Sequence, residues 1–387
     1  MAIDKIYFYL TWLLLGAGLA ITTGLYLFNI FIILFLLYRL VSDRLVLGKN
    51  NRSFILSFVG LIAIPQLLSL LYQVLQYSFF TSYSVYIVIN LTILTSYIFF
   101  FNNIRLDLNK INHYFILFIF SAPIIISVIM YFIPSIGVFF DMSQHPGRFG
   151  GVWGKDVNQL GYYATLVIIF SCFLLYYKKI KLFFAVSFIL LSLFAILISG
   201  MRTGLFLLVL LLPVMTVVYK DPLINLNQLF KFCLILVGVG LIVYFLDYSL
   251  FSIVIERFDV YRLISDISGA SNNGQIGNMY SKWLTSFAAN SNLLDILFSF
   301  NYEWKFPDSL IIFYLANGGL LGAFFLLIFI KIVFLLIKNN NFNYILVFIA
   351  LFSILVSIKG NFIFNNIGMF IFAYMIHSYD KFNNEEV

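Results

Sequence analysis

The residues best suited to chemistry in this chain are arginines set beside glycines. The stretch RFGGVWGKDVNQLG, Arg148 to Gly161, places Arg148 and Lys155 among four glycines between two long apolar runs. Glycine lets backbone N–H groups come close to a ligand, and a helix that follows presents its positive N-terminal end just beyond. An arginine fork matches two phosphate oxygens, so the stretch suits a lipid phosphate or diphosphate. The plainer alternative has Arg148 and Lys155 reaching to lipid headgroups while the glycines make turns. Gly151, Trp153, Lys155, Asp156 and Asn158 are the candidate binding residues of this stretch, and Arg148 is its candidate catalytic residue.

Three further segments carry charge next to apolar sequence. In ISGMRTGLFLL, Ile198 to Leu208, Arg202 occupies a short turn between two strongly apolar helices, with Ser199 and Thr203 as expected N-caps. A guanidinium so near hydrocarbon costs a few kcal/mol unless it is paired or faces a wet cavity, which makes Arg202 a functional candidate and Ser199 a neighbour able to bind. In IERFDVYRLISD, Ile255 to Asp266, Arg257 and Arg262 alternate with acids at helical spacing, a pattern that also fits a solvated face with internal ion pairs. In WKFPDSLIIFYLANGGLLGAFF, Trp304 to Phe325, Asp308 stands where the chain re-enters an apolar run and can serve as a base or as an N-cap. The usual motifs of soluble enzymes are absent: there is no P-loop, dinucleotide fingerprint, HExxH, GxSxG or Cys/His cluster. His113, His145 and His377 are too scattered to hold a metal.

What positions these residues is a membrane. Of 387 residues 63% are hydrophobic and 10% charged, and a mean hydropathy of +1.02 is one that no water-soluble domain sustains. Long apolar runs broken by a few charges predict an all-α, polytopic membrane protein rather than a β-barrel. Apolar windows predict about twelve transmembrane helices, over residues 5–21, 24–41, 53–77, 84–102, 113–139, 158–177, 182–198, 204–219, 231–247, 309–337, 344–358 and 361–376. The first two are expected to turn at Ile21-Thr22-Thr23-Gly24.

With both termini in the cytoplasm, fifteen of the 23 basic residues fall on inner segments. Arg148, Lys155, Arg202, Arg257 and Arg262 are among the eight outside, where a cation is tolerated mainly for a purpose. The inner loops account for the net charge of +7, and no nucleic-acid partner is inferred from it. The chain reads as one integral membrane domain, residues 1–387, whose large extracytoplasmic loop spans residues 248–308. Within that loop, YSKWLTSFAANSNLLDILFSF has apolar residues at helical spacing and is expected to form short helices along the membrane surface.

The succession Arg148-x-x-Gly151, Asn158 and Gly161 entering a helix, Ser199-Gly200-Met201-Arg202-Thr203-Gly204, Arg257-Phe258 opening a long outer loop, and Asn317-Gly318-Gly319-Leu320-Leu321-Gly322 in a late helix resembles the O-antigen ligase and polymerase superfamily. Within it the chain is most similar to the bacterial polysaccharide repeat-unit polymerases of the Wzy type. The resemblance implies a GT-C-like fold in the bacterial cytoplasmic membrane and a metal-independent glycosyltransferase without cofactor. Its substrate would be oligosaccharide repeat units carried on undecaprenyl diphosphate, polymerised at the outer face into capsular or O-antigen polysaccharide. Membrane lipids, a chain-length regulator and a flippase are the further partners implied. By the same resemblance Arg148 and Arg202 lead the catalytic candidates and Arg257 and Arg262 follow. The ligase branch carries a histidine before the late helix where this chain has Pro307-Asp308-Ser309, which leaves Asp308 as the replacement base. Ligase and flippase or secondary transporter are the competing readings. A transporter places its charges near the bilayer midplane, whereas these lie at span ends.

Overall fold

The computed structural model describes residues 2–20, 22–42, 64–77, 93, 96, 97, 99–104, 106–140, 149–154, 157–201, 238, 241, 244, 245, 252, 285, 293–298, 320, 368, 370, 371, 373–375, 377 and 378. These are mostly helical, and among them there is no β-strand. The α-helices are α1 (Ala2–Ala20), α2 (Thr22–Val41), α3 (Ile64–Tyr77), α4 (His113–Phe132), α5 (Val157–Tyr176), α6 (Leu182–Ser199) and α7 (Leu293–Phe298). Short 3-10 segments cover Leu108–Lys110, Pro134–Phe140 and Gly151–Trp153. By length and composition, α4, α6 and residues Asn158–Tyr176 of α5 are long and apolar enough to cross a membrane. At 1.5 Å per residue, a helix of 18–20 residues spans roughly the 30 Å of a bilayer's hydrocarbon core.

The chain divides into two compact units. One comprises Met1–Arg44, Asn103–Asp259 and Ile371–Val387. In it α1 and α2 form an antiparallel hairpin. The Tyr7 ring stacks on Phe31 at 4.9 Å, and near the open end Arg39 pairs with Asp4, both side chains buried. Trp12 of α1 sits at the centre, 5.6 Å from Phe170 of α5, 6.1 Å from Phe120 of α4 and 5.3 Å from Tyr374 near the C-terminus. Apolar burial does little to hold helices together in lipid, so close ring packing of this kind has to do it, at about 0.5–1.5 kcal/mol per aromatic pair.

Proline governs α4 twice. Pro123 lacks the N–H that would bond the Ile119 carbonyl one turn earlier, and it is against this carbonyl that α1 packs with a residue lacking a side chain. A Cβ built on Gly16 would lie 2.8 Å from the Ile119 oxygen. Pro134 then ends the helix: α4 stops at Phe132, and Pro134–Phe140 continues as a 3-10 segment. The span expected over 113–139 is therefore shorter at its C-terminal end. At the N-terminal end Asn112 caps the helix, its Oδ1 accepting from the Phe115 amide at 3.2 Å.

Helices α5 and α6 form a second hairpin through a tight turn. The Lys179 amide donates to the Leu174 carbonyl and the Lys178 amide to that of Leu175, each at 2.9 Å, and Lys178 takes φ +54°. This is the Schellman arrangement with lysine at the position where glycine is usual. The Lys181 amide, beginning α6, donates to the Tyr114 hydroxyl at 3.0 Å and joins this turn to the start of α4. Outward faces are apolar: Phe118 of α4 and Phe183 of α6 are 57% and 76% exposed. Water penalises such faces and hydrocarbon does not, which marks the chain as a membrane protein.

The other unit comprises Leu45–Asn102 and Val260–Phe370. Tyr97 and Phe101 pack on the Phe370 ring at 5.4 and 4.9 Å. Helix α7, in the stretch expected to hold short helices, docks on α3: Tyr72 donates to the buried Asp295 carboxylate at 2.8 Å and its ring stacks on Phe298 at 5.4 Å.

Candidate functional site

Of the candidate residues, Gly151, Trp153, Asn158 and Ser199 are described. Arg148, Lys155, Asp156, Arg202, Arg257, Arg262 and Asp308 lie outside the described residues. The four described ones gather at one end of the helices α4, α5 and α6, within one unit.

The glycine loop begins by borrowing the end of α6. A helix leaves its last carbonyls without intrahelical donors, and here the Phe149 amide donates to the Ile198 carbonyl at 3.1 Å. The loop then folds on itself: the Trp153 amide donates to Gly150 and that of Gly154 to Gly151, each at 3.1 Å. Gly151 has φ +57°, and a Cβ there would collide with the Ser127 side chain of α4. Gly150 lies against the Gly154 carbonyl in the same way.

Ser127 is the post on which the loop hangs. Its buried hydroxyl donates to the Pro123 carbonyl at 2.7 Å and accepts from the Val152 amide at 3.1 Å. The amides of Phe149, Val152, Trp153 and Gly154 are thus all spent inside the protein. The glycines let the loop press against α4, whereas sequence reasoning had their N–H groups reach a ligand.

Helix α5 is joined to the end of α6 by another close approach. A Cβ on Gly161 would lie 2.5 Å from the Met201 Cβ and 2.9 Å from the Ser199 Oγ. Thr165 sends its hydroxyl back to the Gly161 carbonyl at 2.9 Å. Helix α6 itself ends at Gly200, left-handed at φ +62°, whose amide donates to the Leu197 carbonyl at 3.0 Å. Ser199 is expected to N-cap a helix that lies outside the described residues. It is the last residue of α6, where its Oγ donates to the Ile196 carbonyl at 2.8 Å and accepts from the Met201 amide at 3.3 Å.

Aromatic side chains line this end. The half-buried Trp153 ring lies 5.2 Å from Tyr163, whose hydroxyl donates to the Phe120 carbonyl. Phe149 meets Tyr131 edge-on at 5.4 Å. Asn158 is exposed in the first turn of α5.

Sequence reasoning missed Ser127 and Met201. The first looked like one more small residue in an apolar span, although a serine four places after a helical proline was a usable signal. Among the described residues no group of three or more His, Cys, Asp or Glu is placed to hold a metal ion. No family model, no curated protein and no solved structure matches the chain.

Proposed function

We propose that the chain is a repeat-unit polymerase of the GT-C type with about twelve spans. It joins oligosaccharides carried on undecaprenyl diphosphate at the outer face of the bacterial cytoplasmic membrane. The observation that carries this reading is the union of two sequence segments, 149–154 and 198–201, through the Phe149 amide on the Ile198 carbonyl and Gly161 against Met201. Arg148 precedes the first segment in the chain and Arg202 follows the second, and both lie outside the described residues.

The charge pattern supports the orientation. Lys178, Lys179 and Lys181 occupy the α5–α6 turn, at the end of these helices opposite the glycine loop. Basic residues favour the cytoplasmic side, which leaves the loop facing outward.

In this reading the reaction is a glycosyl transfer to a hydroxyl, with roles given to the candidate residues by their chemistry. The bond from the growing glycan's anomeric carbon to the lipid diphosphate breaks, and a new bond forms to a hydroxyl of the incoming unit. Asp308 accepts the hydroxyl proton, and undecaprenyl diphosphate leaves with its charge neutralised by Arg148 and Arg202. Arg257 and Arg262 assist in holding the second lipid-linked unit, and Trp153 and Asn158 contact sugar. The test supplies purified protein with undecaprenyl-diphosphate-linked repeat units in chelator. A ladder of products is expected; units returned unchanged, under conditions where the protein is folded, overturn the reading.

A further inference from the structure

At the lysine-bearing end, α1 carries an open groove of about 530 Å³ lined by Lys5, Ile6, Tyr9, Leu10 and Leu13. We propose that this groove holds an anionic phospholipid, with its phosphate on the Lys5 ammonium and one acyl chain along Ile6, Leu10 and Leu13.

Charge argues for the headgroup. Among the described residues, the lysine-bearing end holds Lys5, Arg39, Lys110, Lys178, Lys179 and Lys181, six cations, and two carboxylates, Asp4 and Asp107. Both carboxylates are engaged: Asp4 pairs with Arg39, and Asp107 holds Lys110 at 3.1 Å. Asp4 is the neighbour of Lys5 in the chain, so its capture by Arg39 removes the acid that would otherwise serve Lys5. An anionic headgroup supplies the missing charge, and clustered lysines beside a membrane helix attract such lipids.

Shape argues for the chain. Ile6, Tyr9, Leu10 and Leu13 follow one another at three- and four-residue spacing and form one face. That face runs about 12 Å along the helix from Lys5 to Leu13, from the headgroup region into the hydrocarbon. Ile6 and Leu13 are 64% and 46% exposed, available to an occupant that the surrounding bilayer provides. Tyr9 fixes one wall: its hydroxyl accepts from the Asn112 amide at 2.9 Å and its ring meets Phe115 at 5.6 Å. A wall held in advance lowers the ordering cost of binding.

The proposal rests on the chain being a membrane protein and stands apart from the polymerase reading. Full-length protein in nanodiscs of mixed phosphatidylglycerol and phosphatidylcholine is released into native mass spectrometry, and the retained lipid is counted. Preferential retention of phosphatidylglycerol is expected, falling about fivefold in Lys5→Gln and persisting in Lys5→Arg. A phosphatidylglycerol with a diazirine in its acyl chain is expected to crosslink to the peptide holding Ile6, Leu10 and Leu13. Equal retention of both lipids, crosslinks confined to other helices, or an equal loss in Lys178→Gln overturns the groove as the site. Retention lost in both Lys5→Gln and Lys5→Arg overturns the assignment to charge.

Discussion

The Ser127 hydroxyl accepts the Val152 amide at 3.1 Å while giving its own proton to the Pro123 carbonyl, so one buried side chain joins the glycine loop to the C-terminal part of α4. Ser127→Ala leaves the buried Val152 N–H without its acceptor, a loss of about 1–3 kcal/mol. Ser127→Cys restores an acceptor of similar size and recovers part of it. Gly151→Ala is worse than either, because the left-handed backbone alone costs roughly 1–2 kcal/mol and the new methyl meets Ser127. Thermal unfolding in detergent ranks the variants as wild type, then Ser127→Cys, then Ser127→Ala, then Gly151→Ala. Ser127→Ala as stable as wild type removes the post.

Gly161 and Met201 form a pair testable by a double-mutant cycle. The methyl of Gly161→Ala meets the Met201 Cβ and Sδ, which must move and carry the turn before Arg202 with them. Long-chain polysaccharide is expected to fall sharply in Gly161→Ala. Met201→Gly removes the two nearest obstructing atoms and leaves the Ser199 Oγ, so the double variant recovers part of what the single one loses. Additive losses in the two singles and the double mean that the two sites do not touch.

How legible these features were depended on their range. The helices that local apolarity specifies came through: α1, α2, α5 and α6 begin and end within a few residues of their windows. Pro134 moved the end of α4 inward, which a proline rule applied to residue 133 would have caught. The glycines around Gly151 were singled out, but their partner was not, since the serine four places after Pro123 signals a bond back to its own helix and not the loop amide it accepts. Ser199 closes the helix before it, and the helix it was expected to cap lies outside the described residues. The same limit hid Tyr72 and Asp295, which are 223 residues apart and 2.8 Å from each other. Asp4 and Arg39, 35 residues apart in the chain, are likewise a buried pair.

That pair makes its own prediction. Removing one member of a buried ion pair strands the other and costs about 3–5 kcal/mol, whereas replacing both by apolar residues is often neutral. Asp4→Leu and Arg39→Met are each expected to lower the unfolding temperature steeply, and the double variant to return close to wild type. A double variant as unstable as the worse single one would mean that the α1–α2 hairpin needs the charges themselves. The double variant also removes one basic residue from the lysine-bearing end, so correct insertion is checked by protease access from each side of the membrane.

Arg148 and Arg202 extend the argument from the described backbone to the chemistry. Phe149, next to Arg148 in the chain, bonds to Ile198, and Met201, next to Arg202, packs on Gly161; the two arginines themselves lie outside the described residues. If they share a diphosphate, neither is replaceable by the other. Removing one donor from a preorganised oxyanion site costs about 10²–10³ in rate. Arg148→Ala and Arg202→Ala are each expected to abolish long-chain polysaccharide while leaving membrane abundance and unfolding temperature unchanged. Arg→Lys at either position keeps the charge but loses the two-pronged fork, so it restores short chains at most. Normal chain lengths in both alanine variants exclude the pair from the site. A loss of product in one variant only would mean that a single guanidinium carries the charge and that the meeting of the two segments serves packing.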